Sequence, residues 1–147
     1  MKKLLTLFMC FALVGLYSCS SDDDGDDNGG SNSDYTDLTI NASYLKDGVK
    51  TPDAGTIVYL FEGFDKDGPG YFVYSGDGKF YSESTQTTKN YTQKGVADNT
   101  GKVFFEKVRT IKNCAIVIEP ASDKTITKEI GTVVGSNNKV INYTAGQ

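Results

Sequence analysis

From residue 38 onward the chain is broken into short apolar runs, each closed by a turn signal, and no stretch keeps a helical period. "LTINASY" (38–44) alternates cleanly: Leu38, Ile40, Ala42 and Tyr44 face one way, Thr39, Asn41 and Ser43 the other. "TIVYLFE" (56–62) is apolar on both faces, as a strand in the middle of a sheet must be. "KVFFEKV" (102–108), "CAIVIE" (114–119), "TITKEI" (125–130) and "KVINYT" (139–144) complete the set. Asp-Gly at 47–48, 67–68 and 77–78, "NTG" at 99–101 and "GSNN" at 135–138 supply the turns. Strands this short and this regularly punctuated predict an all-β fold, a single β-sandwich of about seven strands over residues 35–147. That length suffices for a core without disulfide staples.

The first 34 residues have a different composition. Lys2 and Lys3 precede an apolar run from Leu4 to Leu16, the pattern of a secretory signal over residues 1–18. The run is shorter than the roughly 20 apolar residues that cross a bilayer. Residues 20–34, "SSDDDGDDNGGSNSD", hold only Ser, Asp, Gly and Asn, so residues 19–34 are expected to be a disordered linker. A flexible coil of that length spans roughly 20 Å.

Between leader and linker stands "LYSC" (16–19), which resembles a bacterial lipobox. The resemblance implies cleavage before Cys19, a diacylglycerol on its sulfur and an acylated amino group (palmitate the expected chain). Tyr17 departs from the small residue usual there. Two or more acyl chains hold a protein on a bilayer where one does so only marginally. "CSSDDDGDD" (19–27) resembles the Bacteroidetes-type lipoprotein export signal, which implies the outer face of the cell outer membrane. The expected membrane contact is therefore the lipid alone.

The formal net charge of −4 divides unevenly along the chain. The leader carries two lysines and the linker six aspartates, leaving thirteen basic and thirteen acidic residues in 35–147. The acidity thus belongs to the linker, and no basic stripe suggests a nucleic-acid partner. Removal of the leader leaves Cys19 and Cys114, too few for a disulfide framework inside the domain. Cys114 then reads as a small buried hydrophobe.

Residues 64–93 are the most distinctive part of the domain. They gather Phe64, Tyr71, Phe72, Tyr74, Phe80, Tyr81 and Tyr91 among Gly, Asp, Ser and Thr. The spacing predicts a hairpin of 71–74 against 79–82. Two readings stay open for the rings. Tyr71, Phe72, Tyr74, Phe80, Tyr81 and Tyr91 form a candidate binding face for glycan or protein, or they pack against the sandwich.

"PDAGTIVYLFEG" (52–63), "KGVADNTGKVFFEKV" (94–108) and "CAIVIEP" (114–120) together resemble the prealbumin-like group of transthyretin-like, carboxypeptidase-regulatory-like and Cna-B-type sandwich domains. The resemblance covers most of 38–144 and is interrupted by the insertion at 64–93. It implies the sandwich fold and leaves function open. Cna-B-type domains carry a Lys–Asn crosslink promoted by an acid. Glu119 and Asn142 stand at suggestive places, while the first strand holds no lysine and Lys46 lies beyond it.

Chemistry is sparse. With no histidine, the usual serine and cysteine hydrolase triads and most zinc or iron sites are excluded. "SYLK" (43–46) and "SNNK" (136–139) match Ser-x-x-Lys but fall at a strand end and in a turn. Asp65, Asp67 and Asp77 lack the closing carboxylate of a calcium loop. No catalytic, cofactor or metal residues are assigned. The sequence reads as a non-catalytic, surface-exposed lipoprotein that displays a binding or scaffolding module. The alternative is a structural or accessory subunit of a surface appendage or multiprotein complex.

Overall fold

A computed structural model of the chain describes residues 34–64, 68–110, 113–133 and 139–146. Cys19, the leader, most of the linker, Asp65, Asp67 and the 135–138 turn lie outside the described residues. The chain is all-β, with eleven strands among the described residues and a 3-10 turn at Gly68–Tyr71.

One sheet is built around β1 (Tyr35–Lys46). β11 (Lys139–Ala145) runs parallel to one side of it, Leu38 opposite Lys139 and Tyr44 opposite Ala145. Its other side is shared. β8 (Lys102–Arg109) pairs antiparallel along Tyr35–Asn41, and β2 (Val49–Pro52) takes over from Ser43 to Lys46. The β1–β2 hairpin closes through Asp47 and Gly48, both at positive φ (52° and 79°). That is the two-residue primed turn which Asp-Gly favours.

The second sheet has the order β10 (Lys128–Val133), β9 (Asn113–Glu119), β3 (Ile57–Phe64), β7 (Gln93–Val96), every pair antiparallel. Leu38 and Ile40 of the first sheet meet Val58, Leu60, Ile116 and Ile118 of the second, with Val103, Phe105 and Val108 filling the seam. This is a sandwich core, and Leu38, Ile40 and Ala42 of the alternating 38–44 run are buried as expected, whereas Tyr44 is only partly buried and Ser43, expected outward, is 5% exposed where it bonds to β11. At full burial each large aliphatic side chain contributes roughly 1.5–3 kcal/mol.

β3 and β9 are buried on both faces because a third layer covers the second one. β4 (Val73–Gly76), β5 (Lys79–Ser82) and β6 (Thr87–Asn90) form a small antiparallel sheet from the insertion. Its Phe80 is 1% exposed and packs with Tyr59, Phe61, Phe64, Ala115 and Val117 of the second sheet. The predicted hairpin is present, shifted to 73–76 against 79–82 and turned through Asp77 and Gly78 at φ 50° and 70°.

Candidate binding site

The six aromatic residues singled out in the sequence do not share one face. Phe72, Tyr74 and Phe80 turn inward onto the second sheet. Phe80 meets Phe61 edge-on at 4.6 Å, Tyr74 at 5.5 Å and Phe64 at 6.0 Å. Tyr71 (66% exposed) and Tyr81 point to solvent, and Tyr81 lies opposite Val73 (70% exposed) in the register. Tyr91 stands at the rim, partly exposed, its ring 5.4 Å from that of Tyr59. Gly78 tucks between these two rings, where a Cβ would sit 2.5 Å from Tyr91 and 2.7 Å from Tyr59.

A cleft of about 470 Å³ opens in the second sheet where β3 begins and β9 ends. Glu119, Lys124 and Thr127 give it polar groups, and Ile57, Pro120 and Ala121 give it an apolar strip. Ile57 and Glu119 are register partners on β3 and β9, and Val96 of β7 lies on the far side of Ile57. The 120–127 loop that forms the opposite wall is held from beneath. Asp53, 2% exposed, accepts a hydrogen bond from the Ser122 amide at 3.0 Å and another from its hydroxyl at 2.8 Å. The buried Thr56 hydroxyl accepts from the Ala121 amide at 3.3 Å. Asp123 folds the loop back on itself by accepting from the Thr125 amide (2.9 Å) and hydroxyl (2.6 Å), which holds its carboxyl below the ordinary value.

One side chain joins the inserted layer to this cleft. The Tyr74 hydroxyl donates to Glu119 Oε1 at 2.6 Å and accepts from the Gly78 amide at 2.9 Å. Burial, with the bond to Glu119 next in weight, raises the Tyr74 phenol above its ordinary value, so it stays a donor at any physiological pH. Glu119 is thus a half-buried carboxylate held in place on one oxygen by an insertion residue.

Other residues noted in the sequence are placed as follows. Ser43 bonds the carbonyl of Tyr143 at 2.9 Å and the Thr144 hydroxyl at 3.0 Å, a strand-to-strand tie. Ser43 and Lys46 are three apart on β1, so their side chains leave opposite faces. Asn142 Oδ1 accepts from the Asn41 side-chain Nδ2 at 2.9 Å on the first sheet, whereas Glu119 lies on the second; the crosslink geometry is not assembled. Asp77 serves the β4–β5 turn. Cys114 is buried in the sandwich seam, and burial pushes its thiol up to about 11. Among the described residues no group of three or more histidine, cysteine or acidic side chains could hold a metal.

The sequence reading did not reach the cleft. Gly55 and Thr127 were read only as parts of strand-bearing segments and Lys124 not at all, and the contact that assembles them, Asp53 to Ser122, spans 69 positions. The one local signal was the acid of the Glu119–Pro120 step at the end of an apolar strand.

No protein-family model matches the chain, and no curated protein matches it in sequence. Among solved structures, the crystal structure of a proposed carbohydrate-binding protein from Pseudomonas aeruginosa aligns over 75% of this chain and 88% of that one. The two are 16% identical with a TM-score of 0.42, a likeness too loose to assign a ligand or a residue role.

Proposed function

We propose that the chain is a non-catalytic lipoprotein, acylated on Cys19 and displayed on the outer membrane, whose sandwich binds a glycan or protein outside the cell. The observation that carries this reading is the polarity of the domain. At the start of β1 the carbonyl of Asp34 accepts from the Thr110 amide. The cleft and its supporting loops gather at the other end, where the Asp53 amide donates to Ala42. Ala42 is seven residues along the strand from Tyr35, roughly 23 Å at 3.3 Å per residue. The Cys19 side of the chain thus joins β1 at the end remote from the cleft, which leaves the cleft end free to bind.

Growth on labelled palmitate, with protease added to intact cells, tests the address. The parent is expected to carry label and to be shaved from the surface, and a Cys19→Ala variant to lose both properties. Label on neither protein, with identical fractionation, would sink the anchor. A glycan-array and pull-down screen on the same two proteins tests the binding role.

A structural or accessory subunit is the second reading. Here the relevant feature is β11, at the margin of its sheet, with no strand paired on its outer side among the described residues. Such an edge accepts an added strand through its main-chain groups.

A further inference from the structure

We propose that the cleft between Ile57 and the 120–127 loop binds an uncharged sugar residue, with Glu119 as its principal acceptor; this rests on the binding-module reading above. The lining sets the ligand's chemistry. It holds one carboxylate, Glu119, and one ammonium, Lys124, so its formal charge is zero. A cationic ligand that paired with Glu119 would confront Lys124, and an anionic one drawn to Lys124 would confront Glu119. A neutral ligand suits both only if it donates to one and accepts from the other at close spacing.

Neighbouring hydroxyls do this. Glu119 only accepts, Lys124 only donates, and the Thr127 hydroxyl does either. A sugar hydroxyl rotates to meet each demand, whereas a peptide group has its donor and acceptor fixed on opposite sides. Tyr74 occupies Oε1 of Glu119 from the layer side and so orients the carboxylate. A carboxylate has about four lone-pair sites, and Oε2 retains its own for two vicinal hydroxyls. The strip of Ile57, Pro120 and Ala121 offers saturated carbon to the C–H face of a pyranose. At about 470 Å³ the cleft falls in the range of small-ligand sites, about 300–1,000 Å³.

The test is an amide-resolved NMR titration of the full chain in detergent. The probes are methyl glycosides of glucose, galactose, mannose and N-acetylglucosamine. Methyl glucuronide, glucosamine and trialanine serve as the anionic, cationic and peptide arms. At least one neutral glycoside should shift the amides of Gly55, Ala121 and Thr127 with millimolar affinity and outbind all three other arms. Glu119→Gln, which keeps an acceptor for Tyr74, should weaken it about tenfold or more, while Phe104→Ala on the solvent side of β8 in the first sheet leaves it unchanged. If Glu119→Gln disturbs the fold, Lys124→Ala and Thr127→Ala on the exposed loop should each weaken binding about threefold. The proposal is overturned if no neutral glycoside moves those amides, if a charged or peptide probe binds tighter, or if the cleft variants bind as the parent does. Failure of the Cys19 experiment would remove surface display and leave this titration as it stands.

Discussion

Replacing Phe80 with alanine probes whether the inserted layer is part of the structural body or an ornament on it. The Phe80 ring is sealed at 1% exposure and makes edge contacts with Phe61, Tyr74 and Phe64. Loss of its burial alone costs roughly 2–3 kcal/mol. Each edge-on aromatic pair adds about 0.5–1.5 kcal/mol beyond area, and the vacated volume adds more because β3 and β9 cannot close over it. Core Phe→Ala changes as a class cost about 3–5 kcal/mol, and Phe80 should fall in that range. In urea, with a slope near 1–3 kcal/mol per molar, the midpoint should drop by roughly 2 M, followed by far-ultraviolet circular dichroism. The variant should also bind a hydrophobic dye in the absence of urea. When the third layer lifts, Tyr59, Phe61 and Val117 are uncovered as one apolar surface. A loss under about 1 kcal/mol with no dye signal would show that the ring is not seated on the second sheet, and the three-layer description would fall with it.

Two further outcomes follow from single positions. Gly78→Ala should destabilise well beyond Gly48→Ala: both glycines have positive φ (70° and 79°) and share a left-handed penalty of roughly 1–2 kcal/mol, but only at Gly78 would the new methyl strike Tyr91 and Tyr59. Paired urea midpoints decide, and equal losses would refute the tyrosine cradle. For Cys114, whose thiol burial lifts from an ordinary 9.0 to about 11, the unfolded chain ionises first as pH rises. Its contribution to stability is therefore intact below pH 9 and lost between about 9 and 11. In a chain with Cys10 and Cys19 replaced by serine, iodoacetamide at pH 8 should label Cys114 only at the rate of unfolding.

What could be read from the sequence followed from how local each determinant is. The inward set Leu38, Ile40 and Ala42 was legible because strand alternation depends on nothing outside the strand. β8, β9 and β11 were found as short apolar runs closed by turn signals, an equally local mark. The 125–130 run slid to Lys128–Val133 because Asp123 captures Thr125 in a turn, a side-chain bond that apolar pattern does not register. β2, β6 and β7 passed unnoticed; each is four residues long without an apolar run, and pairing with β1, β5 and β3 makes them strands. The two-sided apolarity of 56–62 was read as a central position in a sheet. It has a second cause as well, since Tyr59 and Phe61 lie under Phe80. The signal for that layer was present in the aromatic richness of 71–81, but a ring that packs and a ring that binds look alike in sequence. The cleft was invisible because its walls meet only after folding.

The parallel pairing of the first and last strands has a mechanical consequence. Tension applied between the start of β1 and a point beyond Ala42 would run lengthwise along β1. It would stress the bonds to β11 and β8 sideways and all together, instead of peeling them one by one. A ladder loaded in shear yields only when many rungs break at once. A small domain built this way resists such a load without a disulfide to stiffen it.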